Sequence, residues 1–510
     1  MKKTHLAASL AAVAITGLAL AGCTGGGNTA ASGDPASAGP DTLKIGNFLD
    51  VTSWDPANAD IGFDGPYLSA IYDTLVALDK NGNPVPAVAQ KWTVAADGKT
   101  ITFDLRAGIK FSDGETLDAA AVVKSLEYLK KGARSGEAYK NVTAVKATDD
   151  HTVEVDLSTR DDTILYLMGL GRGYIMAPKS IDAGTLAKSP VGSGPYTLSS
   201  SSTAGSDYKF DQVKGYWDAK QYPWKSVEIF PIMDATARQN AMLSGQINVQ
   251  YGDVANLDAA KQNSWNVASR VSGWAGLEIN DHTGAQLKPL GDVRVRQALN
   301  YAFDGAGILK AVGSGAGVAT NQVFPDGAGI NDPALNDMYK YNVAKAKELM
   351  SQAGYANGFS LHMPMSPVFQ AWQAVAAQSL KAIGVTVTWD NMQQPDYQLN
   401  AGKYPMFIAF LALDGNANAT VFRNVSGAQW FNPNPDYAKV PSVKAAVDKV
   451  NTTSGDAQTQ AIKDLNTELT KQAWWSVWYQ ADNTYYSAQG IKVQPIIGMM
   501  FPTLRYITQG

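Results

Sequence analysis

PAVAQKWTVAADGKTITFDLRAGIKFSDGETLDAAAVVKSLE, residues 86–127, moves from strand-like alternation to helical spacing within one short stretch. Two β-rich segments flank Asp97-Gly98, a pair that favours a tight hairpin turn. Ile101, Phe103 and Leu105 alternate with polar residues, so with Trp92 they are expected to bury one face of a sheet. Asp113-Gly114 supplies a second turn. A helix is then expected from about Asp118 to Lys131, stopping at Gly132 and packing back on that sheet.

The same logic recurs along the chain. In SPVFQAWQAVAAQSLKAIGVTVTWD, the residues Trp372, Val375, Ala376, Leu380 and Ile383 follow helical spacing, Gly384 stands at a C-cap, and Val385 to Trp389 alternates as a strand. In KYNVAKAKELMSQAGYANG, Asn342 caps a helix whose apolar face is Val343, Ala346, Leu349 and Met350, and Gly354 ends it. Asp292 caps a third helix through Val295, Ala298, Leu299 and Ala302. HTVEVDLS and KSVEIFPI alternate as strands. The fold class is α/β. Neither a Walker-type loop nor a G-x-S-x-G nucleophile turn occurs, and the glycines of VGSGAGVATNQ read as a loop.

The first residues, MKKTHLAASLAAVAITGLALAGCTGGG, place Lys2 and Lys3 before a short apolar stretch and then Leu20-Ala21-Gly22-Cys23. This pattern reads as an export signal, residues 1–22, and resembles a bacterial lipobox in which Cys23 is acylated. Cys23 is the only cysteine among 510 residues, so no internal disulfide is expected. Residues 23–40 are rich in Gly, Ala, Ser and Thr and read as a flexible tether. The remainder is too long for one core. Forty-two basic and 46 acidic residues, without blocks of either sign, argue against nucleic acid as a partner.

The block 86–127 resembles the central region of the family 5 extracellular solute-binding proteins of ABC importers. Further phrases agree in order: SWDPANAD (53–60), YDTLV (72–76), GSGPYTL (192–198), ARQNAMLSGQINV (237–249), PLGDVRVRQALNYAFD (289–304) and AKAKELMSQAGY (344–355). The resemblance implies a two-lobed periplasmic-binding-protein-like fold (type II, cluster C) with an extra domain on lobe I. Lobe I would comprise 41–70, 188–275 and 484–510, the accessory domain 71–187, and lobe II 276–483. It also implies a monomeric lipoprotein on the extracytoplasmic face of a cell membrane. That protein would capture a short peptide between closing lobes and deliver it to an ABC permease with separate ATPase subunits, without a cofactor and without catalysis.

Residues 407–424, FIAFLALDGNANATVFRN, end an apolar run on a single acid, Asp414. Peptide-binding members of the family keep an aspartate at such a strand end, paired with the ligand's N-terminal ammonium. Here the family's Gly-Trp pair is replaced by Phe410-Leu411, and its later acid-proline pair is absent among Asn416, Ala417 and Asn418. By resemblance Asp414, with Phe410 and Asn416 beside it, would contact ligand. A turn in which the Asp414 side chain accepts from Gly415 and Asn416 is the competing reading.

Twelve tryptophans keep an oligosaccharide open as a ligand, since aromatic planes stack on sugars as well as on peptide side chains. Most should be core. Trp430, in the Gly/Asn/Pro-rich SGAQWFNPNPDY, is the expected cleft wall. Opine-like amines and nickel are further alternatives. For a metal only His151, His282 and His362 follow the signal, none spaced on one helix face with another. A secreted lipoprotein hydrolase is the rival from another class, although no recognisable catalytic setting supports it.

Overall fold

A computed structural model describes residues 40–326 and 329–510; the expected signal, Cys23 and residues 24–39 lie outside the described residues. Strands Ala89–Val94 and Thr100–Leu105 pair antiparallel with Val94 opposite Ile101, across a turn in which Gly98 has φ +70°. An L side chain is strained there, so glycine fits this turn. Ile101, Phe103 and Leu105 are buried, and Trp92 is half-buried against them. Strands Thr152–Leu157 and Val142–Asp149 complete a four-stranded sheet. Helix Ala119–Lys130 packs on it, its first turn closed by the Asp118 carboxylate accepting from Ala121 N at 2.9 Å.

The other helix starts follow the same chemistry. Asn342 accepts from Lys345 N ahead of helix Val343–Gln352, and Asp292 from Arg294 N ahead of helix Val293–Tyr301. Helix Gln370–Ala382 passes through Gly384, at φ +85°, into strand Val385–Asn391.

A nine-stranded sheet organises the described chain. Strand Thr42–Asn47 lies parallel to Ser226–Pro231 and to Val249–Gly252. Two long strands, Asn266–Ile279 and Ser476–Ser487, pair antiparallel beside them. Met406–Ala412 closes the far edge with Gly273 opposite Ala412 and Ile279 opposite Met406.

The apolar interior divides into two large clusters. The first gathers Leu43, Ile45, Val227, Ile229 and Tyr485, and includes Phe103 and Val153 of the four-stranded sheet. The second gathers Trp274, Leu277, Leu299, Leu380, Ile408 and Trp478. The two long strands therefore run from one core into the other. Their pairing shifts register between Val271 and Gly273 and again between Ala275 and Gly276, which bends the ribbon where it changes core.

Candidate functional site

Strand Met406–Ala412 is almost wholly buried, and the chain beyond it delivers Asp414 to a place where the residue is only 2% exposed. Asn416 then caps helix Ala417–Val421, its side-chain oxygen accepting from Ala419 N at 3.0 Å. A wider turn, Phe422–Ser426, continues it. Two helical turns separate Asn416 from Arg423, so the chain doubles back and Arg423 comes to rest on Asp414. Arg423 Nη1 donates to Asp414 Oδ1 at 3.4 Å, long for a charge-assisted bond. Asp414 Oδ2 is buried and has no hydrogen-bond partner among the described residues. Burial raises the carboxyl above its ordinary range, and the Arg423 charge opposes that shift.

The turn that Asp-Gly favours locally does not form. Gly415 N donates instead to Tyr166 Oη at 3.1 Å, and among the described residues the Asp414 side chain is bonded to Arg423 alone. Tyr166 belongs to the first half of the chain, in helix Ile164–Leu167, and the Asp414 charge nearby adds to the burial that raises its phenol. Gly82 also reaches this place. A Cβ built on it would lie 3.1 Å from the Gly415 carbonyl carbon, so the two backbones meet where a side chain would intrude.

These contacts belong to a seam along which residues 80–167 face residues 414–458. Gln458 Nε2 donates to Asp162 Oδ2 at 2.8 Å, and Gln429 Nε2 to Glu137 Oε1 at 2.9 Å. Lys140 Nζ sits 3.9 Å above the centre of the Phe422 ring. Arg270, on a long strand, donates to the Lys80 carbonyl. A small apolar cluster of Leu78, Tyr166, Leu170, Ala419, Ile496, Met499 and Tyr506 joins the two sides. Between the two sides lies a cavity of about 280 Å³ whose lining includes Lys140, Arg160, Asp162, Asn418 and Phe422.

The residues expected at the site do not all converge. Phe410 is half-buried and packs its ring 6.2 Å from that of Trp372. Asn416 spends its side-chain oxygen on the helix cap. Trp430 is 44% exposed, with its ring edge-on to Phe431 at 5.6 Å. No hydrogen bond or ring contact joins Asp414 to Phe410 or Trp430 among the described residues. The residues that do meet this turn, Arg423 at Asp414 and Tyr166 at Gly415, were not singled out in the sequence. Arg423 stood at the end of the same apolar run and could have been found by following the helix back; Tyr166 carried no local signal.

The histidines are committed elsewhere. His282 bonds Asp436 Oδ1 through Nδ1 at 2.7 Å and the Trp474 carbonyl through Nε2 at 2.9 Å, and stacks on the Trp474 ring at 3.4 Å. His362 is exposed beside Asp390. Among the described residues no group of three His, Cys, Asp or Glu converges as a metal site.

Residues 83–433 match the bacterial extracellular solute-binding proteins, family 5 (middle region), and the chain belongs to that family. It is 32% identical over 330 residues to the dipeptide-binding protein of Escherichia coli K12, a match covering 59% of this chain and 60% of that one. It is 28% identical over 364 residues to the glutathione-binding protein GsiB of Salmonella paratyphi A, with 69% of each chain covered. The match thus spans about three-fifths of the length of the first relative. In three dimensions the chain resembles the ABC transporter-associated periplasmic binding protein DppA from Helicobacter pylori in complex with the peptide STSA. The TM-score is 0.74 at 20% identity, over 92% of this chain and 98% of that one. The fold is therefore the two-lobed α/β architecture of periplasmic binding proteins, its lobes being the bodies around the two apolar clusters.

Proposed function

We propose that this chain is the solute-capturing subunit of an ABC importer and that its solute is a short peptide, held between the lobes with its ammonium on Asp414. One observation carries the reading: a carboxylate oxygen, Asp414 Oδ2, is buried without a partner at the end of a strand beside the seam between the lobes. An ionised carboxylate in such a place is costly unless a charge or donor meets it, and a ligand ammonium would supply one. The dipeptide- and glutathione-binding relatives support a peptide-like solute.

Closure follows from binding both sides at once. A ligand shifts the lobes only by its preference for the closed form, about 5.5 kcal/mol to move a 1:99 equilibrium to 99:1. Contacts from both lobes give such a preference, because the open cleft makes them one side at a time. The closed monomer would then dock on a membrane permease served by separate ATPase subunits. Cys23 would anchor it by an acyl group to the extracytoplasmic face of the membrane; incorporation of radiolabelled palmitate that disappears in Cys23→Ala checks this.

Asp414→Asn, with folding confirmed by circular dichroism, is expected to weaken dipeptide binding at least tenfold in calorimetric titration. Unchanged affinity defeats the reading. Mass spectrometry of the peptide after long incubation should return it intact, as befits a binder and not a hydrolase.

A further inference from the structure

Both ring nitrogens of His282 face acceptors. Nδ1 lies 2.7 Å from Asp436 Oδ1, and Nε2 lies 2.9 Å from the Trp474 carbonyl oxygen. A neutral imidazole donates from one nitrogen and presents a lone pair at the other; only imidazolium donates from both. The side chain is fully buried, so a lone pair set against a carbonyl would go unmatched.

The charges around the ring agree. Helix Val293–Tyr301 brings Arg296, whose Nη1 donates to the His282 carbonyl at 3.3 Å and to Leu290 O at 2.7 Å. Asp281 turns its carboxylate to the backbone N–H groups of Ala285, Gln286 and Leu287. Asp281, Arg296 and Asp436 are all buried, so two carboxylates stand against one guanidinium here, and a second cation balances them. Further out, Asp292 is bonded to Arg294, Glu468 to Gln472, and the Tyr339 phenol to Thr470 O. The His282 ring also stacks on the Trp474 indole, 9° from parallel, and an aromatic face favours a cation. Burial acts to raise the Asp436 carboxyl, but its bonds to His282 outweigh that and hold it below the ordinary range.

What the ring holds belongs to the seam. Asp436 Oδ2 accepts from His282 N at 2.8 Å, and Asn280 Nδ2 donates to the Phe431 carbonyl at 2.9 Å, so residues 280–282 fasten both ends of 431–436. Gln429 and Asn432 close a small loop through paired backbone bonds. From that loop Gln429 reaches Glu137 on the other side of the seam. Histidine is the side chain that ordinarily exchanges a proton between pH 5 and 8, and an extracellular protein meets the pH of its surroundings. We infer that His282 is a proton-operated pin: as imidazolium it holds residues 427–436 in position for closure, and on losing its second proton it gives up one of its two bonds, so that the closed form weakens as pH rises. His282 is thus a positioning residue that acts through Gln429. The inference rests on the reading of the chain as a solute binder that closes.

The test uses the purified chain labelled with nitrogen-15 histidine. At pH 6 the NMR spectrum should show a buried imidazole with both nitrogens protonated, and His282→Gln should lack that signal. Hydrogen exchange read by mass spectrometry should find residues 427–436 at least tenfold better protected in wild type than in His282→Gln at pH 6, with the gap below threefold at pH 8.5. Affinity for a random dipeptide pool should fall about fivefold from pH 6 to pH 8.5 in wild type and less than twofold in His282→Gln. If His282→Gln does not fold, the wild-type spectrum still decides, and Asp436→Asn should lose the second proton at lower pH. A buried imidazole with a single proton at pH 6 overturns the pin. So does a gap in protection that is the same at both pH values, the mark of a residue that only packs. Dipeptides that bind at neither pH overturn the peptide reading and leave the spectrum and the exchange to decide the pin.

Discussion

Asp73 in the first lobe and Asp414 in the second are both buried acids, and their surroundings are opposite. Three donors converge on Asp73: Tyr216 Oη at 2.5 Å, Trp217 Nε1 at 3.0 Å and Ser193 Oγ at 3.0 Å. Beside it is a cavity of about 30 Å³, and Arg505 on its wall adds a favourable charge. Asp414 has one long bond to Arg423 and an oxygen with none. Burial alone therefore does not mark a functional acid. What separates them is whether the protein itself supplies the donors. Asp73 ties together the loops around residues 193 and 216, whereas Asp414 is left short of partners where the lobes meet.

Removing each carboxyl should separate the two roles. Asp73→Ala orphans the buried Ser193 and Tyr216 donors and the half-buried Trp217 donor, at roughly 1 kcal/mol each, and is expected to cost about 3 kcal/mol of stability by urea unfolding. Asp414→Asn should change stability by less than about 1 kcal/mol, since it relieves a poorly solvated charge and leaves Arg423 in contact with water. A reversed order would dissolve the contrast.

The pH dependence sharpens it next. Burial pushes the Asp73 carboxyl up to about 6, with Tyr216, Trp217 and Ser193 pulling the other way. Its folded value lies above its unfolded one, so the folded state holds the proton more tightly. The stabilisation is complete below about pH 4 and is lost as pH rises through 6, amounting to roughly 3 kcal/mol for a shift of about two units. Asp73→Asn should flatten that part of the stability profile between pH 4 and 7. A profile identical to wild type would remove Asp73 from the account.

The first lobe and the seam also differ in how far the sequence reveals them. The hairpin at Asp97-Gly98 and the caps Asp292 and Asn342 were legible because turn and cap chemistry is local; each settles within three residues. Asp414 was legible as an acid ending a buried strand. Its environment was not, because Gly415 takes its partner from Tyr166, 249 positions away, and that distant contact displaces the turn that Asp-Gly would otherwise form. Glu278 was missed for a related reason. It lies in the apolar run GWAGLEIND on strand Asn266–Ile279, wholly buried, and burial raises its carboxyl well above the ordinary range, with the Trp475 indole pulling the other way. Nothing adjacent in sequence announces that environment.

The seam predicts a smaller effect, on closure more than on folding. Gln429→Ala removes one hydrogen bond that forms when the two sides meet, and Gln458→Ala removes another together with its bonds to the Val450 carbonyl and to Asn418. At about 1 kcal/mol apiece, each should weaken ligand binding roughly fivefold through a less stable closed form. The unfolding midpoint of the ligand-free protein should stay where it is in Gln429→Ala and fall slightly in Gln458→Ala, which also loses bonds within its own side. Small-angle scattering at subsaturating ligand should record a more open average shape in both variants.

Trp430 is where the smallest change is expected, and it is also the residue that divides peptide from saccharide. Its ring is 44% exposed and meets Phe431 edge-on, so truncation removes little buried surface from the fold. For a peptide anchored by its ammonium on Asp414, an aromatic wall adds contact area at the margin. Trp430→Ala should then lower dipeptide affinity about threefold, within the worth of one aromatic contact. A sugar would depend on the same ring far more, because stacking on a flat face replaces the ion pairs that a neutral ligand lacks. A hundredfold loss in Trp430→Ala, with Asp414→Asn still binding, would move the anchor from the acid to the indole and make an oligosaccharide the better solute.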